Sequence, residues 1–160
     1  MADDAHRKAL ELFREAYGRQ MEGDLEGAID CYRRSIALHP TAEAHTFLGW
    51  TYSFQGRLED AIACCKEAIA VDPDFGNPYN DIGSYLLQLG RLDEAIPWLE
   101  RAIEAPRYEP RHYPHCNLGQ VFWGKGELNK AIAAFERALA IEPDYPFARA
   151  ALDAIRKQLN

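Results

Sequence analysis

The sequence predicts an all-α fold, a solenoid of four helix pairs closed by a C-terminal helix. The first observation is a segment that occurs four times, each copy anchored on an alanine. These alanines recur 33, 34 and 36 residues apart, at Ala28, Ala61, Ala95 and Ala131. The second observation is a glycine-containing turn before each copy, since glycine ends helices by tolerating a positive φ. Repeats of this length indicate stacked helix pairs, because one pair cannot bury both of its faces alone.

The four helix pairs follow from the apolar periodicity on either side of these turns. We expect the helices at residues 5–22 and 25–38, 42–55 and 59–71, 76–89 and 92–105, and 113–125 and 128–141. In the second pair, small residues stand where the two helices have to touch, at Gly49, Ala61 and Ala68. Large apolar residues are expected to fill the remaining inner positions of this pair: Leu48, Tyr52, Leu58, Ile62, Cys65 and Ile69.

A last helix is expected from about Pro146 to Gln158. Its apolar stripe consists of Phe147, Ala151, Ala154 and Ile155, and charged residues occupy the other face. This pattern is typical of a capping helix, because the end of a solenoid has to present a polar face to water.

The joint between the third and fourth pairs departs from the repeat. Three prolines crowd it, at positions 106, 110 and 114. Pro114 suits the first turn of a helix, where its missing N–H is not needed. We expect a loop insertion with no function of its own. The alternative is a lip on the binding groove that carries Tyr108, Arg111 and Tyr113.

The helix pairs resemble tetratricopeptide repeats, whose pattern is W-x2-L-G-x2-Y, then A-x3-F, then A and P. The second copy matches at Leu48, Gly49, Tyr52, Ala61, Cys65, Ala68 and Pro73. The third matches at Ile82, Gly83, Leu86, Ala95, Leu99 and Ala102. The fourth matches at Leu118, Gly119, Phe122, Ala131, Phe135, Ala138 and Pro143. The first departs from the pattern, with Ala16, Arg19 and Ser35 in place of the glycine, the tyrosine and the last alanine.

This resemblance covers nearly the whole chain and implies a right-handed superhelical solenoid of four tetratricopeptide helix pairs plus a C-terminal capping helix, in a single domain over residues 1–160. Its repeats are expected at about 9–41, 42–75, 76–111 and 112–145, with the capping helix at 146–158. An atypical first repeat is expected, because one side of an edge repeat faces water.

The charge balance disfavours several classes of partner. The 160 residues include 18 Lys and Arg against 25 Asp and Glu, a net charge of -7. Nucleic-acid phosphates require a basic face, and so does docking on an anionic membrane. No apolar run approaches the roughly 20 residues of a membrane span. The amino terminus does not resemble a secretory signal, so we expect a cytoplasmic protein if these residues are the whole gene product.

No constellation of residues predicts catalysis, a metal or a cofactor. The sequence has no glycine-rich phosphate loop, nucleophile elbow or HExxH motif. The four cysteines lack zinc spacing and are expected to be reduced thiols used as small apolar residues; a redox role for the adjacent pair is the alternative. They are Cys31, Cys64, Cys65 and Cys116. His45 and His115, which hold the position of the repeat's tryptophan, are expected to pack between the helices of a pair.

The first helix of each pair is expected to line the concave side of the solenoid, and its periodicity selects the residues that face the hollow. The predicted binding residues are Phe13, Tyr17, Phe47, Trp50, Phe54, Asn77, Asn80, Ser84, Tyr113, Asn117, Gln120 and Trp123. The same positions also include Gln20, Asp81 and Cys116. Outward aromatic residues indicate a binding surface, and amides beside them can pair with an extended peptide backbone. Tyr17 and Phe47 could instead lie in the core between neighbouring pairs.

Some co-chaperones of this family hold a C-terminal carboxylate with a clamp of Lys, Asn and Arg side chains. The corresponding positions here are Phe13, Tyr17, Phe47, Asn77 and Asp81. These residues form no clamp, and Asp81 would repel a carboxylate. We therefore expect a non-catalytic module that binds an extended or helical segment of another protein in an apolar groove. The alternatives are self-association, or a small chaperone that holds an apolar subunit before export or assembly.

Overall fold

The computed structural model describes residues 2–160, which fold into nine α-helices and contain no β-strand. The helices are α1 (Ala2–Met21), α2 (Leu25–Leu38), α3 (Ala42–Phe54), α4 (Leu58–Val71), α5 (Asn77–Gln88), α6 (Leu92–Glu104), α7 (His112–Gly124), α8 (Leu128–Ile141) and α9 (Pro146–Leu159). Each odd-numbered helix up to α7 packs against the helix that follows it, and each pair packs against the next. The predicted all-α solenoid is confirmed. None of the helices in residues 2–160 is long and apolar enough to cross a membrane.

The turn inside each pair depends on a glycine in the left-handed region. Gly56 has a φ of +76°. Its N–H donates to the carbonyl oxygen of Ser53 at 3.0 Å, and the N–H of Arg57 donates to that of Tyr52 at 3.0 Å. These bonds satisfy the last carbonyl groups of α3, which is the role predicted for the glycine. Three other turns have positive-φ glycines, at Gly23, Gly90 and Gly126.

A second set of glycines lets the two helices of a pair touch. A Cβ atom on Gly49 would lie 2.9 Å from the carbonyl oxygen of Ala61, as the small-residue pattern predicts. At Gly119 it would lie 2.6 Å from the ring of Phe135, which is fully buried. Because interiors are close-packed, even one added methyl group would push these helices apart.

The buried thiols and two half-buried histidines inside the helix pairs are held in their uncharged forms. All four cysteines are free thiols. Burial raises the pKa of Cys64 and of Cys116 to about 11, so both thiols remain protonated at neutral pH. Burial also lowers the pKa of the half-buried His45 and His115. These groups pack as small or flat uncharged side chains.

The C-terminal helix differs from its prediction in the face that it buries. The buried stripe of α9 is Ala148, Ala151, Leu152 and Ile155. Phe147 is 44% exposed and Ala154 is also exposed. The predicted buried face was wrong by a small rotation about the helix axis. Two of its four members, Phe147 and Ala154, therefore face solvent. The helix therefore covers the end of α8 and still presents an aromatic ring to water.

The joint between α6 and α7, residues 105–111, is attached to the joint between α4 and α5. The N–H of Gly76 donates to the carbonyl oxygen of Arg107 at 2.8 Å, and the N–H of Arg107 donates to that of Asp74 at 3.1 Å. Tyr108 is buried, and its Cβ would lie 2.5 Å from a Cβ on Gly76. This segment, which we call the 105–111 loop, is therefore an integral part of the fold.

Two arginines fix this loop from opposite sides. Arg107 pairs with Glu43 of α3 at 3.1 Å and with Asp72, next to the end of α4, at 2.5 Å. Arg111 donates hydrogen bonds to the carbonyl oxygens of Ala105 and Pro106 at 3.1 and 3.2 Å. The lip alternative thus agrees with the position of the loop, but Arg111 is used to hold the loop itself.

Candidate protein-binding groove

The odd-numbered helices α1, α3, α5 and α7 form the inner side of the solenoid. Helix α5 contacts both α3 and α7, whereas the even-numbered helices mainly contact their neighbours in sequence. Because elements approach one another most closely on the inside of a curve, the first helices line the hollow, as expected for stacked helix pairs. We call this surface the concave face.

Five aromatic residues form a continuous row on the amino-terminal half of the concave face. Along this aromatic row the ring centroids lie 5.2 Å apart for Phe13 and Phe47, 5.8 Å for Phe47 and Trp50, and 5.0 Å for Trp50 and Phe54. Tyr17 joins the row through Phe47 at 5.9 Å. All five were predicted as binding residues, and the structure places them side by side.

Burial differs along the aromatic row. Tyr17 is 44% exposed and Phe54 is 55% exposed, so both present their rings to solvent. Phe13 and Phe47 are half-buried and pack against the core ring of Tyr32. The question left open by the sequence therefore has two answers: Tyr17 lies on the surface, while Phe47 belongs partly to the core and partly to the concave face.

A cavity of about 300 Å³ opens in the middle of the concave face, between α3, α5, α7 and the 105–111 loop. Its lining residues are Thr46, Phe47, Trp50, Phe75, Asn77, Asn80, Asp81, Tyr108, Pro110 and Tyr113. Five of the ten residues are aromatic. We call it the central cavity. It brings together five of the predicted binding residues, from three different helices.

Asp81 is the charged residue among those that line the central cavity. It is half-buried, and within residues 2–160 no donor bonds to its carboxylate and no basic side chain pairs with it. Burial raises the pKa of this carboxyl to about 7, because removal from water disfavours the ionised form. The groove therefore contains an acid whose charge is not balanced by the chain.

The predicted amides meet at the edge of this cavity. Nδ2 of Asn117 on α7 donates to Oδ1 of Asn80 on α5 at 2.8 Å. Asn80 is buried, at 8% exposure. Ser84, one turn further along α5, is half-buried and accepts only a long contact of 3.4 Å from Gln88. The two asparagines thus act as a pair that joins neighbouring repeats.

The remaining predicted residues, Gln120 and Trp123, lie apart from the central cavity. They border a separate hollow of about 370 Å³ with Leu87, Gly124 and Phe147. Nε1 of Trp123 donates to Oε1 of Gln158 on α9 at 2.9 Å. The indole N–H of Trp123 is thus already hydrogen-bonded to the C-terminal helix. Only part of this side chain remains available to a ligand.

Two lining residues were not predicted, and two predicted positions are internal. Phe75 and Pro110 come from joints, which the helical repeat does not describe, whereas Tyr108 was named in the lip alternative. Gln20 and Cys116 are 5% and 3% exposed, and Gln20 accepts a hydrogen bond from Tyr32 at 2.8 Å. Extending the repeat count to α9 would have identified Phe147 and Gln158 at groove positions.

Within residues 2–160, no three His, Cys, Asp or Glu side chains come together in a way that could hold a metal ion. The stacked rings of His6 and His39, with centroids 4.3 Å apart, border a hollow of about 390 Å³ beside the aromatic row. Phe47 borders both this hollow and the central cavity. These two hollows are therefore lined mainly by rings, amides and hydroxyls, with two carboxylates, Glu43 and Asp81.

Sequence comparison identifies the repeated unit. Sequence models of the tetratricopeptide repeat match residues 42–75 and 74–144. The chain is 38% identical over 63 residues to the protein KINESIN LIGHT CHAIN-RELATED 1 of Arabidopsis thaliana, which covers 34% of this chain and 10% of that protein. It is 30% identical over 90 residues to the chloroplastic tetratricopeptide repeat domain-containing protein PYG7 of the same plant. This second alignment covers 56% of this chain and 29% of that protein. The chain thus spans less than a third of either relative.

Solved structures show the same fold over nearly the full chain. Pseudomonas aeruginosa pilF superposes with a TM-score of 0.88 at 22% identity, covering 98% of this chain and 70% of that one. The MamA protein superposes with a TM-score of 0.78 at 26% identity, covering 94% of this chain and 81% of that one. Both comparisons place the helix pairs in the same kind of solenoid.

Proposed function

Because this chain belongs to the tetratricopeptide repeat family, we propose that it is a non-catalytic module that binds a segment of another protein across its concave face. The family generally serves protein–protein interaction, and the proposal adds the surface and the residues. The contact residues are those of the aromatic row and the central cavity, with Trp50 shared by both.

The observation that carries this proposal is the exposure of the aromatic row. Tyr17 and Phe54 keep 44% and 55% of their surface in water although they sit beside other rings. Contiguous exposed apolar surface is uncommon on a monomer and marks interaction sites. Tyr and Trp also contribute much of the binding energy of interfaces, because they bury a large area with few rotatable bonds. A partner segment would remove this surface from water.

The amides favour an extended segment. An asparagine side chain can form up to about four hydrogen bonds, and the Asn80–Asn117 contact uses one on each side. Asn77 lines the same cavity. The remaining donors and acceptors can pair with the backbone of an extended peptide, whereas a helix has already satisfied its own backbone groups.

The proposal is tested by affinity capture with Trp50→Ala, followed by quantitative mass spectrometry. The matched control is Trp98→Ala, which removes a half-buried tryptophan from α6, outside the concave face. We expect a set of proteins that wild type and Trp98→Ala retain and that Trp50→Ala loses. Capture of the same set by a folded Trp50→Ala variant would contradict the assignment of the concave face.

Self-association is a second candidate, because the C-terminal helix α9 exposes apolar residues. Phe147 and Leu159 are 44% and 53% exposed. A second copy could cover them, as heterologous contacts do in open assemblies. Light scattering over a wide concentration range tests this candidate, and a constant monomer mass would rule it out. A chaperone that holds an apolar subunit would use the same aromatic row and is a special case of the first proposal.

A further inference from the structure

We propose that the central cavity receives a lysine or arginine side chain of the bound segment, with Asp81 as its counter-ion. This inference rests on the proposed function and deepens it, because it assigns a chemical requirement to one position of the partner. The groove would then recognise an apolar segment that carries one basic residue at a fixed distance from its aromatic contacts.

The charge distribution around the cavity is the first argument. Apart from Asp81, the residues that line the central cavity carry amides, a hydroxyl, phenols and apolar groups, and none of them is charged. They are Thr46, Phe47 and Trp50 of α3, Asn77 and Asn80 of α5, Tyr113 of α7, and Phe75, Tyr108 and Pro110 of the joints. The two arginines of the 105–111 loop, which borders the cavity, are already engaged. Arg107 pairs with Glu43 and Asp72, and Arg111 donates to main-chain carbonyls. Within residues 2–160, no basic side chain pairs with the Asp81 carboxylate.

The cost of the unbalanced carboxylate is the second argument. Burial without a partner disfavours the ionised form of Asp81, which raises its pKa to about 7. Burial raises the pKa of the Tyr85 and Tyr108 phenols, and the negative charge of the Asp81 carboxylate raises both pKa values further. An acidic or purely apolar ligand would bury this carboxylate still more. A cation from the partner would remove the cost and hold the ionised form at neutral pH.

The aromatic lining is the third argument. Ammonium and guanidinium groups are attracted to the faces of tryptophan, tyrosine and phenylalanine rings, most strongly where water is excluded. Five of the ten residues that line the central cavity carry such rings. A volume of about 300 Å³ is at the small end of ligand sites and suits one long side chain. The aliphatic stem can contact the rings while its charged end reaches Asp81.

The test begins with a random peptide library displayed on phage and selected on three proteins. These are wild type, Asp81→Asn and the control Asp153→Asn, which neutralises an exposed aspartate on α9. Each selected peptide is then tested for binding to Trp50→Ala, which identifies the peptides that depend on Trp50. We expect peptides from wild type and from Asp153→Asn to share a lysine or arginine at one position, and peptides from Asp81→Asn to lose it. Wild-type peptides that bind through Trp50 but lack a basic residue would overturn this inference alone. A selection without any Trp50-dependent peptide would overturn the proposed function.

Synthetic peptides then measure the interaction itself. A selected peptide is made with arginine, lysine, citrulline or norleucine at the basic position, and its Kd is measured by fluorescence polarisation. For wild type, removal of the charge should weaken binding by about tenfold, while Asp81→Asn should show less than about a twofold change by the same reasoning. The arginine and lysine peptides identify which cation is preferred. Equal binding of charged and neutral peptides by wild type would overturn the proposal.

A pH series provides an independent readout. Since the carboxyl of the unliganded protein ionises near neutral pH, binding of the basic peptide should weaken by about tenfold between pH 8 and pH 5.5, as protonation removes the counter-ion. The citrulline or norleucine peptide and the Asp81→Asn variant should each remove this dependence. An unchanged pH profile in Asp81→Asn would contradict the role of Asp81.

Discussion

Nδ2 of Asn117 donates a 2.8 Å hydrogen bond to Oδ1 of Asn80, and this bond joins the third and fourth repeats across the concave face. Buried apolar side chains also join the repeats. A side-chain amide pair is different from such packing, because it fixes the distance between two helices and their rotation at once. It therefore positions one wall of the central cavity relative to the other.

A double-mutant cycle of Asn80→Ala and Asn117→Ala measures this bond. We expect a coupling energy of about 1 kcal/mol in the free energy of unfolding. The cycle cancels the effect of alanine on helix propensity, since that effect is the same in both backgrounds. Additive effects of the two substitutions, measured by urea unfolding, would show that the bond does not stabilise the protein.

Gly119→Ala should destabilise the protein by about 2 kcal/mol, because its new methyl group would overlap the ring of Phe135. That ring is fully buried, and three of its atoms would lie within 2.7 Å of the new Cβ. The matched control is Gly18→Ala in α1, where no atom lies within 4 Å of the new Cβ. This control should instead stabilise the helix by about 0.5–1 kcal/mol. Equal effects in urea unfolding would contradict the packing described for α7 and α8.

Asp81→Asn should change the pH dependence of stability. Its carboxyl ionises at about pH 7 in the folded chain against 3.8 as the ordinary value, so the stability of the protonated form is complete at low pH and is lost as pH rises towards 7. The variant avoids this loss. Its free energy of unfolding should exceed that of wild type by on the order of 1–3 kcal/mol at pH 8 and by little near pH 4. Asp153→Asn serves as the control and should show no such trend; a constant difference for Asp81→Asn would be the opposing result.

Tyr108→Ala should release the 105–111 loop. Loss of a buried ring costs on the order of 2 kcal/mol or more, and the hydrogen bonds of the Gly76 and Arg107 amides should open more often. Hydrogen–deuterium exchange at these two amides is the direct measurement, and both should exchange faster. Tyr17→Ala removes a ring that is 44% exposed and should leave them unchanged. Unaltered protection in Tyr108→Ala would mean that main-chain bonds alone hold the loop.

The helices were predictable because the same helix-pair pattern occurs four times in the sequence. The alanine anchors and the glycine turns repeat with nearly constant spacing, so an error in one copy is corrected by the others. Glycine is required at these repeated positions for two physical reasons. Gly56 adopts a left-handed backbone conformation in a turn, and Gly119 allows two helices to approach closely. The predicted and observed bounds agree closely along most of the chain, with α1 starting earlier than expected.

The central cavity was less predictable, because part of it is built by contacts that do not repeat. The bond from Gly76 to Arg107 joins two irregular joints, and helical periodicity carries no information about such pairs. The sequence pattern also does not define the rotation of each helix precisely enough to assign every single residue to the correct face. Gln20 and Cys116 were placed on the surface and are buried, and the bond from Trp123 to Gln158 depends on the exact rotation of α9.

The attachment of the 105–111 loop has a mechanical consequence. In a stack of helix pairs, each pair touches only its neighbours, and such an array bends and twists like a spring. Arg107 and Gly76 add main-chain hydrogen bonds and ion pairs that link the second repeat to the end of the third. Elastic deformation would therefore be concentrated towards the two ends of the stack, while the middle, which contains Asp81, keeps its curvature.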